Sequence, residues 1–316
     1  MPPDYTRLIG PETWAFIRET EGWYPPETAT YPIERQREVY NAMCQAFHRG
    51  RPAGIRTEDV GFSGVPCRIY TPEAPAGEAT VIYYHGGGFV VGGLDSHDDV
   101  CAELAAATGL RVVSADYRLA PEHRHPAAFD DALAVARAVG AEGPILLAGD
   151  SAGGSLAAAV AHRLRGDPVP VLGQVLIYPT LGGDRNAGSY LTHADAPMLT
   201  LEDVEFYVTI RHPGGVEPEA DPTSSPLHDT DFTGLPPTVV LAAECDPLAD
   251  DAAIYAARII AAGGKALART EAGLVHGYLR ARYSDPQAQA SFARIVAALQ
   301  ALSEGACPKI DPEKHP

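Results

Sequence analysis

Five residues near the middle of the chain, Gly149-Asp150-Ser151-Ala152-Gly153, restrict its fold more than any other stretch. They join a continuously apolar run, Ile145-Leu146-Leu147-Ala148, to an alanine-rich stretch over 152–165 with helical spacing. A strand that turns into a helix within so few residues forces its corner residue into a strained backbone conformation. It also lifts that side chain to the carboxyl edge of the sheet. A Cβ two positions to either side would collide across the corner, hence the flanking glycines. The following helix points its positive N-terminal end at the same place. The plain alternative is a glycine-rich turn in which Ser151 serves only as an N-cap.

The rest of the chain agrees with a sheet around that corner. Strands are expected over 57–62, 67–70, 80–84, 111–115, 145–148, 171–177, 238–243 and 266–270. Helical patterns fall near 97–108, 127–139, 152–165, 248–262 and 286–302. Several strands, such as Val239-Val240-Leu241-Ala242-Ala243, are apolar at every position, as burial on both faces of a parallel sheet requires. Alternating strands and helices imply right-handed crossovers and an α/β fold with helices on both sides. Two regions depart from that rhythm. Residues 1–54 read as helical, with Trp14, Phe16 and Ile17 in one piece and Ile33, Tyr40, Met43 and Phe47 in the next. Residues 181–236 show no strand, one helical piece (Leu201, Val204, Phe206, Tyr207, Ile210), and a Pro- and Gly-rich stretch. An insertion that long between two strands reads as a cap. The expected organisation is therefore a helical cap segment over 1–54, a catalytic domain over 55–302 with its insertion, and a frayed tail over 303–316.

Charge and cysteine content exclude other classes. With 24 Lys and Arg against 41 Asp and Glu, the formal charge is −17, which repels nucleic-acid backbones. No apolar run reaches the ~20 residues of a membrane-spanning helix, and the first ten residues carry Asp4 and Arg7 without the apolar core of a signal peptide. Five cysteines (Cys44, Cys67, Cys101, Cys245, Cys307), odd in number and with no C-x-x-C pair, make neither a disulfide framework nor a zinc site. Free thiols in the cytoplasm are the expectation, with no metal and no organic cofactor.

A second glycine-rich element, His85-Gly86-Gly87-Gly88-Phe89, follows the apolar run Val81-Ile82-Tyr83-Tyr84. Consecutive glycines let main-chain N–H groups face a developing oxyanion unobstructed, so Gly87, Gly88 and Ala152 are the candidate donors. His85 is read as holding that loop in shape. A nucleophilic serine needs a base and an orienting acid. Of the eleven histidines, His276 follows the last expected strand, at the same sheet edge as Ser151. His97, His123, His125, His162, His193, His212 and His228 are read as surface or hydrogen-bonding residues. Asp246 follows the strand over 238–243, while Asp250, the fallback acid, and Asp251 fall within the next helix. The resulting order, Ser151–Asp246–His276, is that of α/β-hydrolases.

Together, His85-Gly86-Gly87-Gly88-Phe89, Asp116-Tyr117-Arg118-Leu119-Ala120-Pro121-Glu122, Gly149-Asp150-Ser151-Ala152-Gly153-Gly154, Asp246-Pro247-Leu248 and His276-Gly277 resemble the hormone-sensitive-lipase family of α/β-hydrolases, bacterial branch, over about residues 57–302. The resemblance implies an α/β-hydrolase fold with a mostly parallel eight-stranded sheet and a helical cap. It implies a serine carboxylesterase of short- to medium-chain acyl esters, with catalytic Ser151, Asp246 and His276 and oxyanion donors Gly87, Gly88 and Ala152. It also suggests pairing of two copies through the last strand. Tyr278, where Phe is commoner, is expected to alter the pocket wall. Arg118 and Glu122 are expected to brace the sheet edge. Candidate pocket residues are Trp14, Phe16, Phe89, Leu201, Phe206 and Tyr207. An amidase, or a specialised acetyl-ester deacetylase, would use the same triad. A non-catalytic small-molecule binder is the contrasting class: the plant gibberellin receptor resembles this family but lacks the base that His276 supplies here.

Overall fold

The apolar runs pair into one eight-stranded sheet in this computed structural model, which describes residues 3–25 and 27–307. The strands are β1 (Ile55–Phe62), β2 (Val65–Pro72), β3 (Thr80–Tyr84), β4 (Arg111–Ala115), β5 (Ile145–Asp150), β6 (Val171–Ile177), β7 (Thr238–Cys245) and β8 (Ala266–Val275), in the order β1-β2-β4-β3-β5-β6-β7-β8. β2 runs antiparallel to both β1 and β4; every later pairing is parallel. The helices are α1 (Tyr5–Leu8), α2 (Pro11–Glu21), α3 (Ile33–Phe47), α4 (Asp98–Thr108), α5 (Ala127–Gly140), α6 (Ala152–Arg163), α7 (Gly188–Thr192), α8 (Leu201–Arg211), α9 (Ala249–Ala261) and α10 (Pro286–Ser303).

Side chains on the central strands alternate between two cores. Ile82 and Tyr84 of β3 and Ile145 and Leu147 of β5 join the core under α5, α6 and α9. Their neighbours Val81, Tyr83, Leu146 and Ala148 join the core under α2, α3, α4 and α10. Such positions are fully enclosed, so truncating one to Ala costs about 2–5 kcal/mol. α6 lies so close to the sheet that a Cβ at Gly153 would run into the Tyr84 carbonyl. That approach holds the start of the helix against the ends of β3 and β5.

Four strands run past their expected ends, β8 the furthest. Its last half, Glu271-Ala272-Gly273-Leu274-Val275, carries a charge and a glycine that conceal a strand in the sequence. Glu271 is nevertheless buried, its carboxylate taken by Arg294 and the Ser291 hydroxyl of α10. The extension delivers His276 directly at the carboxyl edge.

The segments outside the layered core meet above that edge. Val90 and Val91 pack with Ile33 and Tyr40 of α3 and with Tyr207 and Ile210 of α8. Tyr5 and His193 are hydrogen-bonded at 3.1 Å. The loop at 116–122 ties down helices on either side of it: Arg118 clamps Asp131 of α5 with two bonds of 2.8 Å, and Glu122 receives Arg37 of α3 at 2.7 and 3.0 Å. The tail expected to fray begins at the end of α10, and 308–316 lie outside the described residues.

Candidate active site

Ser151 occupies the corner between β5 and α6 at φ 52° and ψ −120°, a conformation L-residues rarely adopt. Its own N–H donates to the Ile177 carbonyl at 2.9 Å, which ties the corner to β6. His276 follows β8 and Asp246 follows β7, so three strand ends bring the groups together. The carboxylate can only accept, so His276 Nδ1–H donates to Asp246 Oδ2 at 2.7 Å. That leaves Nε2 as the acceptor of the Ser151 hydroxyl, at 2.9 Å. Asp246 is fully buried and takes the Leu248 N–H on its other oxygen at 2.9 Å, which fixes the carboxylate plane. The His276 ring leans on Tyr178, centroids 5.0 Å apart. Asp250 instead accepts the Ser189 N–H at 2.8 Å, pinning the start of α7.

The N–H groups of Gly87, Gly88 and Ala152 have no protein acceptor among the described residues. Gly87 has φ 123° and Gly88 φ 60°, and a Cβ on Gly88 would strike the Tyr207 ring packed over it. His85 is buried and stacked on Tyr117 at 4.3 Å between centroids. Burial pulls its pKa down to about 3, so the ring is neutral and donates Nδ1–H to the Gly86 carbonyl at 2.8 Å.

Behind the corner lies a polar cluster that the sequence did not suggest. Asp150 accepts the Tyr83 hydroxyl at 2.8 Å and the Gly86 N–H at 3.0 Å, and His97 lies 3.3 Å away. Arg280, from the turn after His276, reaches the Ser96 carbonyl, the Tyr40 hydroxyl and His97. Burial alone would push the Asp150 carboxyl up; His97, the Tyr83 hydroxyl and Arg280 outweigh it and hold the group well below the usual carboxylate range. The cluster thereby links the serine corner, the glycine loop and the segment bearing the base.

Ser151 and His276 open into a cavity of about 510 Å³, within the ~300–1,000 Å³ usual for small-molecule sites. Of the candidate pocket residues, Phe16, Phe89 and Tyr207 line it; Trp14, Leu201 and Phe206 do not. Phe206 and Tyr207 are adjacent on α8 and point about 100° apart, so only one can face inward; Phe206 is 43% exposed. Leu201 packs beside Tyr190 and Leu199, and Trp14 lies on the flank of α2 against the core. Tyr278 is also absent from the wall: it is buried and shares a hydrogen bond with Ser291 of α10 at 2.8 Å, while Leu279 and Arg280 face the cavity. Sequence reading missed Met43, Met198 and Leu248 of the apolar wall and Arg185, Arg211 and Glu217 of a polar one. Phe89, Ser151, Tyr178 and Met198, all at the cavity, have positive φ without being glycine.

The chain matches, over residues 81–280, the family described as alpha/beta hydrolase fold. It is 38% identical over 262 residues to the carboxylesterase NlhH of Mycobacterium tuberculosis, covering 78% of this chain and 82% of the relative. It is 35% identical to an ethyl acetate hydrolase of Pseudomonas putida, covering 75% and 78%. Among solved structures, an esterase from the bacterial hormone-sensitive lipase family superposes with a TM-score of 0.83 at 31% identity, covering 93% of this chain and 99% of the other.

Proposed function

The chain belongs to the hormone-sensitive-lipase family of α/β-hydrolases, and we propose that it is a serine carboxylesterase acting on short- to medium-chain acyl esters. The observation that carries this reading is the connected path from the Ser151 hydroxyl through His276 to Asp246, with bonds of 2.9 and 2.7 Å.

The Ser151 oxygen attacks the ester carbonyl carbon as its proton passes to His276 Nε2, and Asp246 stabilises the resulting imidazolium. The carbonyl oxygen, now negative, is received by the N–H groups of Gly87, Gly88 and Ala152. When the tetrahedral species collapses, the bond to the alkoxy oxygen breaks and His276 returns its proton to the leaving alcohol. Water then attacks the acyl-serine, giving its proton to His276, and the acid departs as Ser151 regains its hydrogen. Residues 1–54 and 181–236 act together as the cap that roofs the cavity; both segments contribute to its lining.

Fluorophosphonate labelling followed by peptide mapping tests the nucleophile: the adduct is expected on Ser151, and an adduct elsewhere overturns the assignment. Rates on p-nitrophenyl acetate, butyrate, octanoate and decanoate test the acyl preference, which a maximum at decanoate would refute. We further propose that two copies pair through β8, an edge strand bonded within the sheet to β7. A monomer by light scattering at micromolar concentration would dismiss that pairing. All five cysteines are free and four are buried, which supports a reducing compartment such as the cytoplasm. No described helix is long and apolar enough to cross a membrane.

A further inference from the structure

We propose that Arg211 is a specificity-determining residue that anchors a carboxylate borne by the ester substrate away from the scissile bond; the proposal rests on the esterase reading above. Arg211 ends α8, is only 7% exposed, and lines the cavity. Its guanidinium carbon stands 3.6 Å above the centre of the Phe89 ring. Phe89 directly follows Gly88, and Tyr207, one helical turn before Arg211, covers Gly88 itself. The positive charge is therefore one aromatic ring away from the glycine loop.

The guanidinium is short of partners. Of its five N–H donors, one meets a protein acceptor among the described residues: Nη1 donates to the Ser224 carbonyl at 3.1 Å. No carboxylate lies within ion-pair distance among those residues. The other buried arginines have more partners. Arg282 is held by Asp99 and Glu103. Arg280, also without a carboxylate in ion-pair distance among the described residues, reaches the Ser96 carbonyl, the Tyr40 hydroxyl and His97. The half-buried Arg68 is held by Asp59, Asp95 and Asp98. The acids nearest Arg211 are already engaged. Glu217 is paired with Arg185 at 2.8 Å and accepts the Ser225 hydroxyl. Asp221 takes the Thr223 hydroxyl and N–H and faces His125 at 3.0 Å. This wall thus carries two guanidiniums against one carboxylate, inside a protein of net charge −17.

A cation buried without a counter-charge is unfavourable, and stacking on Phe89 relieves one face only. The planar fork of donors matches a carboxylate in two parallel bonds. A carboxylate also neutralises the wall, which a neutral carbonyl would not. The protein's overall negative charge does not forbid this: it is screened beyond ~8 Å at physiological salt, whereas a contact inside the cavity is not. The ligand class is then a half-ester of a dicarboxylic acid, or an ester whose alcohol part bears a carboxylate.

The test compares the wild type with Arg211→Gln on matched pairs. One arm uses mono-p-nitrophenyl glutarate and adipate against p-nitrophenyl pentanoate and hexanoate. The other uses 3-acetoxybenzoate against phenyl acetate. In at least one arm the ratio of kcat/KM for the acid-bearing to the neutral ester is expected to fall at least 30-fold, with partial recovery in Arg211→Lys. A purely structural role lowers both rates together; an unchanged ratio in both arms overturns the proposal. Binding supplies a readout that does not need turnover. Calorimetry with monomethyl adipate and monomethyl glutarate in a Ser151→Ala background is expected to show at least tenfold weaker affinity once Arg211→Gln is added. Equal affinity also overturns the proposal. Absence of hydrolysis of every ester, with the affinity difference intact, would instead overturn the esterase reading and leave the anchor standing.

Discussion

His276 with Asp246 and His97 with Asp150 are two histidine–aspartate pairs at the same end of the sheet, and only one is placed to move a proton to a substrate. In the first, the acid takes Nδ1–H at 2.7 Å and the other ring nitrogen faces a hydroxyl at 2.9 Å beside the cavity. In the second, contact to the acid is 3.3 Å, Nδ1 lies against Ser96 Oγ at 2.8 Å, and Nε2 is crowded by Arg280 at 3.4 Å. Its partner acid, moreover, is committed to Tyr83 and Gly86. A third pair, His162 with Asp229 at 2.7 Å, is capped by the Tyr255 hydroxyl far along the chain. Pairing alone therefore does not make a base; an unengaged second nitrogen facing a nucleophile does.

The largest effects should separate the first pair from the second. Ser151→Ala or His276→Ala is expected to lower kcat by about 10⁵–10⁶-fold with thermal unfolding little changed. Retention of a few per cent of wild-type turnover by either would erase the distinction. Asp246→Asn should lose about 10⁴-fold, because the amide leaves the imidazole in the wrong tautomer. Gly88→Ala, whose methyl group meets Tyr207, should lose about 10²-fold by displacing an oxyanion donor; wild-type rates in that variant would remove Gly88 from the donor set. His97→Gln sharpens the comparison from the other side. It should lose about tenfold or less in kcat yet cost about 3 kcal/mol in stability, having broken a buried charged network. A rate loss as deep as that of His276→Ala would make the two pairs equivalent after all.

The smallest effect concerns Asp251, whose Oδ2 accepts the Leu181 N–H at 2.7 Å and the Tyr190 hydroxyl at 3.1 Å. Burial raises this carboxyl to about 7 against the pull of those donors. The folded chain thus keeps a proton that the unfolded chain releases near pH 4. Stability from this group should fall as pH rises from about 4 to 7 and level off above that. Asp251→Asn should remove that contribution, raising the unfolding free energy at pH 8 relative to that at pH 5 by about 1 kcal/mol or more compared with the wild type. Parallel urea curves for variant and wild type at both pH values would contradict it.

The central strands were legible because burial on both faces leaves no polar position to interrupt them, and Ser151 and Asp246 were legible because each follows such a strand. His276 was legible from its place after the start of the edge strand β8 and before the last helix. The end of β8 was not, since Glu271 is made tolerable by Arg294, a partner far along the chain. The pocket was legible only in part. Aromatic content nominated Phe206 and Tyr207 equally, but helical geometry admits one of them. The polar wall was hidden because an arginine looks like solvent-facing charge until the fold encloses it, as happens to Arg211 where α8 meets Phe89 and Ser224.

Phe89, Tyr178 and Met198 are held at φ 65°, 33° and 76°, which bears on how this cavity can be recut. At such corners the direction of each side chain is dictated by its neighbours' backbone, so unbranched replacements inherit the same aim. Valine, isoleucine and threonine fit that torsion worst of all. A redesign library at these three sites should draw on Leu, Asn, His and Gly and leave β-branched residues to the helical wall, where Val204 and Val208 of α8 already stand.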